Sequence, residues 1–552
     1  MKTARLLVVF AFAGIAALSA CTKPSATQQG APSAGAPAQG ATDTKITLRR
    51  GNGAEPDTLD PARSSTVWEN NIISDMNEGL MTVDADGKPI YGAAISNTVS
   101  PDGLVYTYKL RDGLKWSDGV PVTAEDFVFS FQRILDPKTA GQYASVLYPI
   151  KNAQAVNEGK LPPSAVGVKA LDAKTVEITL EHPTPYLPTL LTHQTAQVTP
   201  KHTIEKYGEK WTAGGTMVTD GPYKLAEWVP NTYVKLVKNP YYYDADKVQI
   251  EVVYYYPIQN QSDELDRFKA GEFDLTDSLP VREIPKLKGQ FPGQVHIHDY
   301  MANSYLQINV NKKPLDDVRV RQALDMAIDR DIICYKVLNA GETPAYSFVP
   351  PGMANYESGA QLGFRSLTMP ERRAKARELL AQAGFTIEHP LKFTYRYMES
   401  GDNRRVAIAV AGMWKEIGVQ VDLLNTDPHV HYNALRTQDF DVADAGWVAD
   451  YNDAQNFLFL MDSTSGQMNY SKYSNPKYDA LMHQAASTLD LKARADILRE
   501  AEQIILDDAP VIPEYFAATR QLVRPYVHGF KDNLLKWHRT RYMRIERGAP
   551  AS

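Results

Sequence analysis

The chain has 552 residues, of which 43% are apolar and 22% charged, and it carries a net charge of -6 at pH 7. Single hydrophobic cores stop growing at about 250 to 300 residues, so this length excludes a one-core fold and requires two or more lobes. The composition is that of a soluble globular protein, too weakly charged to imply nucleic acid or an anionic membrane surface as a partner.

Lys2 and Arg5 precede an apolar run from Leu6 to Leu18. It is long enough for a signal-peptide core and too short for a hydrocarbon layer of about 30 Å. The run ends in Leu18-Ser19-Ala20-Cys21, which resembles a bacterial lipobox, with Cys21 as the residue that would carry the lipid. Ordinary secretory cleavage near Ala20 is the alternative, and either route exports the chain. Residues 1–21 are therefore expected to be a lipoprotein signal peptide, with the mature protein lipid-anchored in the cell envelope. Residues 22–44, rich in Ala, Gly, Pro, Ser, Gln and Thr, show no apolar period and read as a disordered tether. A flexible chain of that length spans about 25 to 30 Å. Cys21 and Cys334 are the only cysteines; lipidation of the first leaves no disulfide, and Cys334, in an apolar helical stretch, reads as a small core residue.

Beyond the tether, Lys45 to Arg50 alternates as a strand and breaks at Gly51-Asn52-Gly53. A turn at 100–103 leads into an alternating strand, Leu104 to Leu110. Thr123-Ala124-Glu125-Asp126 then forms a capping box ahead of an apolar helix that Asp136-Pro137 ends. In this motif Trp116, Asp118 and Asp126 are expected to hold the fold together. Gly167 to Leu180 reads as a hairpin, and Tyr223 to Val237 as strands about an Asn-centred turn. The tyrosine runs 241–243 and 254–256 either line a cleft or, as strand aromatics more often do, pack on neighbouring strands. The second half is more helical: Val318 to Val337 reads as one helix, Thr368 caps another that stops near Gly384, and Arg405 to Ile417 ends at Gly418 before a strand, Val419 to Leu423. Helix-then-strand order with short connections predicts α/β lobes.

Catalytic chemistry has no signature here: the nucleophile elbow, the zinc-protease His pair, paired cysteines and the phosphate-cradling loop are all missing, so neither an enzyme nor a cofactor is expected. Two His-x-His pairs, His296/His298 and His429/His431, would each share one side of a strand and could take a metal. No Cys or carboxylate cluster completes either, and surface histidines on a strand or loop are the expected reading.

The stretch Asp439 to Asn456 is the most informative. It sets an acid, Asp450, after the apolar segment 445–449, and no Lys or Arg occurs between Arg436 and Lys472. A buried carboxylate loses several kcal/mol of solvation, so Asp450 is either exposed or waiting for a cation from elsewhere. Gly446-Trp447-Val448-Ala449-Asp450-Tyr451-Asn452 resembles a segment of the periplasmic oligopeptide-binding proteins, family 5 solute receptors of ABC importers. Glu55 to Pro61, Leu110 to Asp126, Asp317 to Ile332 and Ser347 to Gly352 resemble further segments of that family, in the same order.

The resemblance implies a periplasmic-binding-protein-like α/β fold of type II, with two hinged lobes plus an extra domain and mixed sheets flanked by helices. Its domain I would comprise 45–77, 203–301 and 518–552, domain II 78–202 and domain III 302–517. Some relatives carry a cysteine pair at the positions of Ala302 and Val448, which this chain lacks. The family's partners would follow: a peptide ligand, ABC permease subunits and the membrane through the lipid; a monomer is expected.

A receptor for many peptides can use only what peptides share, so main-chain pairing by strand addition is expected; the resemblance puts that edge at Ser65-Thr66-Val67 on one lobe and Gly446-Trp447-Val448 on the other. By resemblance Asp450 takes the ligand's α-ammonium and Tyr143 reaches the ligand from domain II. Arg436 matches one family position for the ligand's carboxyl end. Another, commonly Arg in relatives, is Asp444 here, with Arg404, Arg405 or Asn403 the candidate substitutes. That reversal repels a carboxyl terminus and implies another peptide length or a taste for ligands basic at that point. The alternatives are a narrow receptor on the same fold, for a dipeptide, murein peptide, opine or metal chelate, and an envelope peptide hydrolase or chaperone.

Overall fold

The computed structural model describes residues 45–356 and 359–547. The expected signal peptide, Cys21 and the tether lie outside them. The chain enters through strand β1 (Thr47–Gly51) and turns into helix α1 (Val67–Met76). Next comes an antiparallel sheet of β2 (Ala94–Val99), β3 (Val105–Leu110), β4 (Val168–Asp172) and β5 (Thr175–Thr179), ordered β2-β3-β5-β4. Helix α2 (Ala124–Leu135) covers it, opened by the expected Thr123/Asp126 capping box and burying Phe127, Phe131, Ile134 and Leu135.

The chain then returns to complete the first sheet with β6 (Tyr223–Val229), β7 (Tyr233–Lys238) and β8 (Val252–Tyr256), in the order β1-β8-β7-β6. Asn231, at φ 58°, makes the turn between β6 and β7. The tyrosines pack here: Tyr254 and Tyr256 lie 5.3 and 6.4 Å from the Tyr233 ring, and the buried Tyr255 donates to Asp75.

Strand β9 (Val295–Ile308) leads out of this region into a third, mixed sheet. Its other members are β10 (Leu391–Met398), β11 (Val419–Thr426), β12 (Val442–Val448) and β13 (Val511–Leu522), with a two-residue strand at Thr343–Pro344. The order is Thr343–Pro344, β13, β9, β12, β10, β11. Helices α3 (Val318–Met326), α4 (Met369–Gln382), α5 (Gly401–Lys415) and α6 (Pro428–Thr437) flank it. The expected boundaries at 301/302 and 517/518 fall inside β9 and β13. The two strands slip register there, between the pairs Asp299/Ala518 and Asn303/Phe516.

Two local readings are corrected. The single helix expected over Val318 to Val337 breaks after Met326, because Asp329 caps a new turn by accepting from Ile332 N–H, and the buried Arg330 binds Asp325 and the carbonyls of Ala345 and Pro513. The His429/His431 segment is not a strand or loop but the first turn of α6, where residues two apart do not share a face. The His429 side chain lies outside the described residues. His296 pairs with Asp532 at 3.0 Å and His298 Nδ1–H donates to the Asp299 carbonyl. Among the described residues no cluster of three metal-ligating side chains occurs, and no helix is long and apolar enough to cross a membrane. Cys334 is buried, its thiol pushed up to about 12 by desolvation.

Candidate functional site

Strand β12 is paired unequally on its two sides. Against β9 it is matched along its whole length, from Ile308/Val442 to Ala302/Val448, whereas β10 meets it only at Val442 and Ala443. The far half of one side is therefore an open edge. Trp447 N–H donates to Asn303 Oδ1 and Ala449 N–H to the Met301 carbonyl, both toward β9. Because successive residues alternate, the N–H and C=O of Gly446 and Val448 point the other way, to the open side. A Cβ at Gly446 would stand 2.9 Å from the Asn303 carbonyl, which explains glycine there. Ala302 faces Val448 across the ladder, at the positions where relatives were expected to carry a cysteine pair.

Beyond the end of β12, a cavity of about 90 Å³ gathers residues that lie far apart in the chain: Ser65, Thr66 and Val67, with Tyr143, His193 and Asp450. Each is held by its own local device. Glu69, buried in the first turn of α1, accepts the N–H groups of Asp57, Thr58, Ser65 and Thr66, and Thr66 returns a cap to Glu69 N–H. The Ser65 and Thr66 N–H groups are thus already used, so a ligand strand meets this segment with fewer donors than its sequence suggested. The Tyr143 ring lies 5.8 Å from that of His193, whose Nδ1 is held by the Thr195 hydroxyl at 3.0 Å.

Asp450 is only partly exposed, and burial raises its carboxyl to about 7, opposed by a hydrogen bond from Asn456 and by no cation. Asn456 also accepts from Asp450 N–H at 2.9 Å and from Trp447 Nε1 at 3.0 Å, fixing acid and indole together. The indole packs edge-on to Phe459. Burial, with the nearby Asp450 charge, pushes the Tyr143 phenol up to about 12, and desolvation lowers His193 to about 3. Both stay neutral near pH 7, which leaves Asp450 as the titrating group of this cavity.

A second cavity of about 330 Å³ runs along the open edge of β12 and shares Tyr300 and Val448 with the first. Trp447, Gly446, Asp444 and Asn403 line it. The Asp444 carboxylate accepts from Met398 N–H and Asn403 Nδ2 at 3.0 and 2.8 Å, His431 Nε2 lies 3.1 Å from it, and burial raises it to about 7. Arg436 is exposed on α6 and lines neither cavity.

Sequence reasoning missed Asn456, Glu69 and His431. For Glu69 a signal existed, since Thr66 and Glu69 stand at capping-box spacing. Nothing local marks the other two.

These features have counterparts. Residues 88–469 match the sequence model of the bacterial extracellular solute-binding proteins, family 5. The periplasmic oligopeptide-binding protein OppA of Salmonella typhimurium is 41% identical over 499 residues, 89% of this chain and 91% of that protein. The periplasmic murein peptide-binding protein MppA of Escherichia coli is 38% identical, over 87% of this chain and 89% of that protein. The structure of Haemophilus influenzae OppA in complex with the peptide RPPGFSPFR superposes with a TM-score of 0.78 at 35% identity, covering 91% of this chain and 99% of that one.

Proposed function

Because the chain belongs to the bacterial extracellular solute-binding proteins of family 5, we propose that it is an extracytoplasmic receptor that binds peptides in a closing cleft and delivers them to an ABC importer. One observation carries the reading: among the described residues no cation answers the Asp450 carboxylate, and no strand completes the edge of β12 at whose end it stands. A peptide supplies both missing partners. Its main chain adds to β12 at Gly446 and Val448, and its α-ammonium neutralises Asp450, with Tyr143 and Trp447 closing around that end. No catalysis is part of this reading.

In the same reading 45–77, 203–301 and 518–547 form one lobe, 302–517 the lobe that carries β12, and 78–202 an added domain. β9 and β13 are the two crossings between lobes, and their register slip supplies the compliance for hinge closure. Cys21 would anchor the receptor in the envelope as a monomer.

Native mass spectrometry of the purified protein should display a ladder of co-purified peptides; a single defined mass would indicate a narrow receptor instead. Calorimetry should find that Asp450→Asn, or N-acetylation of the peptide, weakens binding by about 3 to 5 kcal/mol, the penalty for orphaning one member of a buried ion pair. Unchanged affinity in both cases removes the assignment of Asp450.

A further inference from the structure

Asp444 lines the 330 Å³ cavity, and no Lys or Arg lines it with it. Its carboxylate accepts from a main-chain N–H and an amide, and an imidazole stands 3.1 Å away. The imidazole does not supply charge: burial and the Arg396 charge beside it lower His431, and its Nε2–H donates to the Asp444 carbonyl at 2.9 Å. Two arginines near this wall meet other carboxylates, Arg396 the Asp439 carbonyl and carboxylate and Arg330 that of Asp325. Behind the cavity wall a second acid, Glu514, is 1% exposed; Oε2 accepts from Ser304, which lines the cavity, and Oε1 has no partner. The wall thus presents one carboxyl directly and backs it with another, in a space open to the free edge of β12. Tyr432 and Tyr515 add aromatic lining.

We infer that this cavity is a subsite for a cationic side chain of the bound peptide, lysine or arginine, with Asp444 as its counter-charge. The inference rests on the peptide-receptor reading and adds a preference to it. A basic side chain suits the space on three counts. Its methylene stem packs along the tyrosine rings, its head gains cation–π attraction there, and its charge meets the carboxylate that the protein leaves without a cation. Paired residue for residue with β12, a ligand strand whose first residue lies opposite Val448, beside Asp450, brings its fifth residue level with Asp444, and the side chains of its fourth to sixth residues reach the cavity. The same charge distribution disfavours a peptide whose carboxyl terminus ends at that point.

The test is a positional scan by calorimetry on the full mature protein, using neutral hexapeptides in which lysine replaces norleucine at one position at a time. Lysine should improve affinity at least tenfold at one of positions four to six and less than threefold elsewhere, and in Asp444→Asn the lysine-to-norleucine ratio at that position should fall to within twofold of one. The ratio is read within one variant, so any overall loss of binding divides out, and the wild-type scan decides the matter even if the variant does not fold. A flat wild-type scan overturns the inference and leaves Asp444 as a tie between β10, α5 and α6. A preference that persists in Asp444→Asn overturns the role of Asp444. If no peptide of the series binds, the receptor reading itself falls.

Discussion

Asp450 and Asp453 stand three residues apart after β12 and meet opposite electrostatic fates. Asp453 receives the Arg494 guanidinium on both oxygens, at 2.7 and 2.8 Å, with both side chains almost fully buried. That guanidinium also lies 4.9 Å over the Tyr186 ring, which stacks on Tyr451 at 5.5 Å, so the pair belongs to a joint between Tyr186 and the segment that follows β12. Asp450, next to the same joint, has an amide and nothing positive. Where the fold needs an acid it supplies the base as well. Where the described residues supply no base, the acid faces a cavity.

Breaking the satisfied side should have the largest effect. Arg494→Ala strands a buried carboxylate and is expected to cost about 3 to 5 kcal/mol of stability, measured by denaturant unfolding. Folded variant molecules should still distinguish free from acetylated peptides; loss of that discrimination would show that the two acids act as one unit. On the other side, Asn456→Ala removes the support shared by Trp447 and the Asp450 main chain. It should weaken peptide binding by about 1 to 3 kcal/mol, the range for leaving buried polar groups unsatisfied, with a smaller change in unfolding free energy. Equal losses in both measurements would make Asn456 a fold residue only.

The smallest effect per step is set by pH, and its sign separates the two functions of a raised carboxyl. Binding an ammonium requires ionised Asp450, so affinity should fall as pH drops below about 7, by up to about tenfold per unit. The empty receptor should respond in the opposite sense. A carboxyl whose folded pKa lies above its unfolded value favours the fold when protonated, and that stabilisation is lost as pH rises through about 7. Melting temperature followed with and without peptide from pH 5 to 8 reads both slopes. Parallel curves would contradict an unpaired Asp450.

The parts of the fold that were legible are those set by neighbours in the chain. The capping boxes at Thr123 and Thr368 open α2 and α4 where their spacing predicts, and Gly418, at φ 87°, separates α5 from β11. Asp450 itself was legible, because an acid after a short apolar run with no cation for many residues is a local oddity. The helix expected over Val318 to Val337 was misread, since its apolar period continues through a break that Arg330 creates by reaching carbonyls far along the chain. His431 was taken for a surface residue because nothing in its neighbourhood reveals that α6 turns it toward Asp444.

By itself, then, the amino-acid order determined which segments become strands and capped helices, and it marked one acid as lacking a counter-charge within reach, because backbone preference and short-range charge are properties of adjacent residues. Only the tertiary structure decided that Arg494 answers Asp453 and not Asp450, that β10 stops short and exposes half of β12, and that Asp444 faces a cavity that no described Lys or Arg lines. Electrostatic pairing and strand-edge completion depend on which distant groups the packing of the lobes brings within a few ångströms, and no local spacing encodes that.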